Sequence, residues 1–188
     1  MKGTIACCLR ELVIEKFGKE AWEKTMEKSG LEKNTVFLAM DDVADEAVLS
    51  VVSNLCGVLG INLEQAADAF GEYWCTVYAP RIYKGFFLGA RNSRDFLLRM
   101  DSVHELTTKT IKNATPPRFR YEDKDKDTLV MTYVSKRNLM PIFQGLVKGV
   151  GKHFGEELKL RALSSSQLEI TFPSRVPADR EALVGKGV

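Results

Sequence analysis

Asn113-Ala114-Thr115-Pro116-Pro117 divides the chain into two parts of different character. Pro116 drives Thr115 out of the helical region, and a double proline makes a stiff connection that no helix crosses. Everything before it reads as helix. After it, Phe119-Arg120-Tyr121 and Thr128 to Val134 read as strands around a charged turn, Glu122 to Asp127. Pro141 opens a helix with Ile142, Phe143, Leu146, Val147, Val150 and Phe154 at helical spacing, and its Gly145, Gly149 and Gly151 point to close approach by another surface. Two more strands, Leu158 to Ala162 and Gln167 to Phe172, flank Ser164-Ser165-Ser166. The expected fold is α+β: a helical lobe, then a four-stranded antiparallel sheet with one helix packed on it. Residues 1–173 form the domain, and 174–188, without an apolar period, form a flexible tail or linker.

Upstream, the spacing predicts a helix over about 3–17 with Ile5, Leu9, Leu12, Val13 and Phe17 inward and Gly18 as a stop. A second helix runs from Ala21 to Lys28. A third, introduced by Asp41 and Asp42, runs from Ala44 to Leu59 and is closed by Gly60. Asn62 caps a fourth, whose stripe is Leu63, Ala66, Ala67, Phe70, Trp74 and Val77. Its end is rich in aromatics, with Tyr73, Tyr78, Tyr83, Phe86 and Phe87 close by; these make either an ordinary core seam or the wall of a pocket for a flat ligand.

The last helix before the prolines, Arg94 to Lys112, sets Leu97, Met100, His104 and Ile111 on one face. An imidazole on an apolar face needs partners for its nitrogens: it serves as a bonded core histidine, a general base or a metal ligand. The other histidine, His153, sits near a helix end beside Lys152 and reads as solvated or favoured there by the helix dipole.

The 188 residues carry a formal net charge of +2 with scattered basic groups, which argues against nucleic acid as ligand. No run of about 18 apolar residues exists, so no membrane insertion is expected. Cys7, Cys8, Cys56 and Cys75 form no Cys-x-x-Cys pair, and with two histidines a four-ligand zinc site is not expected. Reduced thiols and the lack of a signal peptide lead us to expect a cytoplasmic protein.

Tyr133, Ser135 and Arg137 alternate at period two at a strand end, which would put a phenol, a hydroxyl and a guanidinium on one face. Such a set suits carboxylate or phosphate, although each residue alone fits a solvated strand end. A flat apolar ligand with carboxylates and a metal needing one imidazole would use all these features. Haem is that ligand, with iron on His104 and propionates on Tyr133, Ser135 and Arg137.

With these residues in place, the chain resembles the haem nitric oxide/oxygen binding (H-NOX) domains, which include the haem domain of soluble guanylate cyclase. The resemblance rests on Met1-Lys2-Gly3-Thr4-Ile5, His104-Glu105-Leu106, Thr115-Pro116-Pro117, Tyr133-Val134-Ser135-Lys136-Arg137 and Phe70-Gly71-Glu72-Tyr73-Trp74. It implies haem b between the two lobes, His104 as proximal ligand, and Ile5 and Pro117 bending the macrocycle. Met100 and Leu146 line the cofactor, with Ile142, Trp74 and Tyr78 on the distal side. Family members that bind oxygen stably carry a distal tyrosine; Ile142 stands at that position, which favours nitric oxide (and carbon monoxide) over oxygen. Trp74 and Tyr78 each retain a polar hydrogen.

The resemblance further implies a sensor in which nitric oxide weakens the iron–His104 bond, the haem flattens and the lobes shift. The signal would be read by a partner such as a histidine kinase, a cyclic-di-GMP enzyme or a chemotaxis receptor. An oxygen-binding member, a haem carrier or a haem enzyme are the alternatives. An enzyme would want a distal acid–base pair, and Ile142 and Leu146 supply none.

Overall fold

The computed structural model describes residues 1–109 and 111–173; the tail expected over 174–188 lies outside them. Helices α1 (Gly3–Phe17), α2 (Lys19–Lys28), α3 (Asp45–Leu59) and α4 (Leu63–Tyr73) lead into a single π-helical turn, Trp74–Tyr78. Short helices α5 (Ala79–Ile82), α6 (Lys84–Leu88), α7 (Ser93–Leu98) and α8 (Met100–Thr108) follow. Then come β1 (Arg118–Asp123), β2 (Thr128–Val134), α9 (Met140–Phe154), β3 (Lys159–Ala162) and β4 (Gln167–Thr171). The sheet is antiparallel with strand order β1-β2-β4-β3, pairing Phe119 with Tyr133, Met131 with Leu168 and Leu160 with Ile170.

Local chemistry explains most of the boundaries. Asn62 and Gln65 form a reciprocal capping box at the start of α4. Gly60 closes α3 in the left-handed conformation, φ +67°. Pro80 has no N–H to continue the ladder, and the Ala79 N–H reaches back five residues to the Trp74 carbonyl instead. This π turn was not expected from the spacing.

Three other expectations need correction. Phe17 is exposed rather than inward, because α1 ends there and Gly18 turns the chain. The first turn of α3 carries Asp45 and Glu46; Asp42 instead bridges to Lys2. The helix expected over 94–112 is two helices, α7 and α8. The Arg99 N–H bonds the Phe96 carbonyl three residues back, and the Asp101 N–H goes to the Tyr121 hydroxyl rather than into a helix ladder.

Two apolar clusters form the core. One joins the sheet to α9 and α7 through Leu129, Met131, Leu168, Ile170, Val147 and Phe96. The other joins α1 to α4 through Cys8, Leu12, Val13, Met26, Val51 and Phe70. Trp74 and Leu146 pack against both. Where α4 crosses α9 the backbones touch. A Cβ on Gly145 would stand 2.1 Å from the Ala67 carbonyl oxygen, and one on Gly149 would stand 2.1 Å from that of Gly71. The close approach expected from Gly145 and Gly149 is thus made by α4, whereas Gly151 faces the Glu156 carbonyl and Leu158.

Candidate haem site

His104 is half-buried on α8, and its Nδ1 lies 3.0 Å from the Pro117 carbonyl oxygen. A carbonyl only accepts, so this contact puts the ring proton on Nδ1 and leaves the Nε2 lone pair free. Burial lowers the imidazole pKa, opposed by the Pro117 bond and the Asp101 carboxylate, so the ring is neutral at pH 7. A neutral imidazole oriented through its second nitrogen is the form that binds a metal. The ring packs 5.5 Å from Phe119, on the sheet-side cluster that also holds Met100.

Short tethers hold α8 in place. The Asp101 carboxylate accepts from Arg118 Nε and Nη2 (2.7 and 2.6 Å) and from the Phe119 N–H (2.8 Å), tying the first turn of α8 to β1. Arg118, against the cost of burial, holds the Asp101 carboxyl down at about 2. A depressed carboxyl stabilises the fold above its ordinary pKa near 4 and loses that contribution as pH falls through its folded value. Asp101→Asn is expected to cost about 1–2 kcal/mol at pH 7. In urea unfolding the gap from the unmodified protein should narrow steadily toward pH 2.

Tyr133, Ser135 and Arg137 do not share one strand face as the alternation predicted. β2 stops at Val134, the Arg137 N–H bonds Ser135 Oγ (3.2 Å), and Asn138 takes φ +48°. Tyr133 is buried with its ring stacked on Phe143 at 5.4 Å. Arg137 donates through Nε to Asp45 (2.6 Å), through Nη1 to the Thr115 carbonyl (2.8 Å) and through Nη2 to Thr115 Oγ1 (3.0 Å). Guanidinium has five N–H donors, so two remain for an incoming carboxylate. Asp45 and Thr115 went unrecognised in the sequence; Thr115 lies in the quoted break, but no spacing rule links either to Arg137.

Across the molecule, Ile5, Ile142 and Tyr78 belong to the α1–α4 cluster, and Trp74 and Leu146 touch both clusters. Phe70, Trp74 and Tyr78 form a ladder of rings at 5.9 and 5.5 Å. This makes the aromatic patch more than an undivided core seam, since Trp74 stands at the boundary between the lobes. His153 lies in the last turn of α9, the dipole-favoured position expected of it, and packs edge-on against Phe87 and Phe154 rather than standing free in solvent. One imidazole with a free metal-facing nitrogen, apolar residues from two lobes and spare guanidinium donors together fit haem.

The sequence profile described as "Haem-NO-binding" matches residues 2–162. The chain belongs to the Haem-NO-binding family. Among solved structures it is similar to an oxygen-binding H-NOX domain related to soluble guanylate cyclases, seen as its oxygen complex. That likeness has a TM-score of 0.80 at 28% identity and covers 94% of this chain and 97% of the other. An isoleucine-to-phenylalanine variant of T. Tengcongensis H-NOX gives a TM-score of 0.79 at 28% identity, covering 94% and 100%. Soluble guanylate cyclase gcy-35 of Caenorhabditis elegans is 29% identical over 156 residues, 81% of this chain and 23% of that protein. The chain thus spans about a quarter of the length of such curated relatives. The α+β architecture with its four-stranded antiparallel sheet is that of the H-NOX domains, a family of haem-binding gas-sensor domains. Among the described residues no single helix is long and apolar enough to cross a membrane.

Proposed function

We propose that residues 1–173 are a cytoplasmic sensor domain that binds haem b through His104 Nε2, takes nitric oxide in preference to oxygen, and signals to a partner protein. The observation that carries this reading is the Pro117 carbonyl on His104 Nδ1, which sets both tautomer and ring orientation for a metal on Nε2. When bound, haem supplies an iron with a coordination position for a diatomic gas. The chain's own part is to orient His104, to engage the propionates with Arg137 and the neighbouring Tyr133 and Ser135, and to keep water out with apolar side chains from both lobes. Ile5 and Pro117 approach the cofactor from opposite lobes, so a change in its shape would be felt by both. Residues 174–188 would act as a linker.

Selectivity rests on Ile142. It packs on the α1–α4 cluster and has no hydrogen to donate. Oxygen, with partial negative charge when bound, gains from a donor in a dry pocket; nitric oxide depends on one far less. Ile142→Tyr is expected to create an oxygen complex that survives in air, read as a shift of the ferrous absorption spectrum. An unchanged spectrum would place another residue at the distal position.

The decisive experiment is the absorption spectrum of reduced protein without oxygen, then with nitric oxide, then separately in air. A five-coordinate ferrous spectrum that moves with nitric oxide and forms no lasting oxygen complex is the expected result. A stable oxygen complex would overturn the preference while keeping haem sensing. Absence of haem after reconstitution would return His104 to a bonded core histidine.

A further inference from the structure

The π turn between α4 and α5 is gripped on both sides by one carboxylate of α1. Tyr73, the last residue of α4, is buried, and its hydroxyl lies 2.8 Å from Glu11 Oε1 and 2.7 Å from Glu15 Oε2. A phenol has one hydrogen to donate, so these two carboxylates share it. Past the turn, Arg81 of α5 donates from Nη2 to the same Glu11 Oε1 at 2.6 Å. That hydrogen bond is the chief reason the Glu11 carboxyl lies below its ordinary pKa despite burial. Glu11 is therefore ionised at pH 7 and accepts strongly from both donors. Between the two grips stand Trp74 and Tyr78, the first and last residues of the turn, with rings stacked at 5.5 Å and 26°. The Arg81 guanidinium also lies 5.3 Å from the centre of the Tyr78 ring.

We infer that Glu11 is a positioning residue for the distal side: by joining Tyr73 and Arg81 at one oxygen, it fixes the π turn and with it the stance of Trp74 and Tyr78. Pro80 accounts for the interrupted helix ladder, but a missing N–H does not say where the two sides of the break point. The Glu11 oxygen does, because Tyr73 enters the turn and Arg81 leaves it, and each is tied to the same atom of α1. Glu15 takes part of the Tyr73 hydrogen bond, whereas Glu11 accepts from both sides. The clamp itself stands on geometry alone. Its distal role rests on the haem-sensor reading above and deepens it, since Ile5 lies on the same helix as Glu11 and the two would move together.

The first readout needs no haem. Trp22→Phe leaves Trp74 as the sole tryptophan, and it removes an indole N–H that has no partner. In that background the near-ultraviolet circular dichroism of Trp74 reports how the stacked rings stand. Glu11→Ala should lose most of this signal while far-ultraviolet dichroism stays. Glu11→Gln keeps an oxygen for both donors and should restore it. Glu15→Ala should leave it unchanged, because the link to Arg81 survives. An unmoved Trp74 signal in Glu11→Ala overturns the proposal, as does an equal loss in Glu15→Ala. Should Glu11→Ala fail to fold, Tyr73→Phe and Arg81→Ala each release one side of the turn. Each should weaken the Trp74 signal, and no change in either would overturn the clamp.

The second readout uses haem-loaded protein with carbon monoxide as the probe. The infrared stretch of the bound gas responds to the groups around it, so Glu11→Ala should shift or split the band, and Glu11→Gln should return it toward its position in the unmodified protein. A band that stays in place in Glu11→Ala, when the Trp74 signal has been lost, overturns the distal role. Failure of the haem reading looks different from either result. The protein would then show no haem absorption at all, while the Trp74 signal still answered to Glu11.

Discussion

His104→Gly should strip the protein of firmly held haem. Removing a group that merely orients a metal ligand weakens metal affinity by about 10–100-fold; removing the ligand itself should exceed that. Far-UV circular dichroism should change little, because α8 keeps its tether through Asp101 and Arg118 when the imidazole's bond to Pro117 is lost. Free imidazole supplied to the variant should restore haem absorption by occupying the space the side chain leaves beside Pro117. Two outcomes would count against the assignment. Full haem retention with an unchanged spectrum would move the ligand elsewhere, and His153 is the remaining histidine. Its ring is wedged between Phe87 and Phe154, which makes it a poor substitute. Failure of imidazole to restore absorption would mean that His104 serves the fold rather than the iron.

Gly145→Ala should have the largest effect on stability. The added methyl would meet the Ala67 carbonyl oxygen at 2.1 Å and its carbon at 2.6 Å, and both are backbone atoms of a helix that cannot swing aside. Separating α4 from α9 enough to admit it would also open the reciprocal contact in which Gly71 faces Gly145, together with that between Gly149 and Gly71. Overpacking of this kind costs about 1–3 kcal/mol where side chains can yield, and more where backbone must move. Chemical denaturation should therefore show a loss of at least about 3 kcal/mol, or no folded protein. Gly57→Ala provides the control. Gly57 lies inside α3 with open space around it, so the same substitution there should stabilise by about 0.5–1 kcal/mol. Equal effects at the two positions would show that helix propensity, rather than contact between backbones, governs the α4–α9 crossing.

The features legible in the sequence were those governed by neighbours along the chain. The double proline, the Asn62 cap, the Gly60 stop and the strand run from Thr128 to Val134 act within a few residues, and the structure follows them. The glycines of α9 announced a close approach, although nothing in their spacing named α4 as the other surface. What escaped was decided by long-range partners. The Tyr121 hydroxyl takes a helix donor from Asp101 and so helps divide what reads as one helix into α7 and α8. Arg137 leaves the strand register to meet Asp45 and Thr115, which are 92 and 22 positions away. Of the candidate site, His104 was readable as a residue needing partners. The identity of its partner, the Pro117 carbonyl, was not, because any residue at that position offers the same oxygen.

The π turn at Trp74–Tyr78 makes this stretch unusually sensitive to insertion and deletion. A turn of that width holds one residue more than the α-helical turn it replaces. Deleting one residue would let the helix close normally, at the cost of rotating the short α5 that follows by about 100° relative to α4. Tyr78 and Arg81 would then turn together, drawing Arg81 off Glu11 of α1, while Phe70 and the glycine crossing of α4 with α9 stayed where they are. A single codon gained or lost here re-aims Tyr78 and Arg81 without rebuilding the crossing of α4 with α9, a change that ordinary substitution would reach only in several steps.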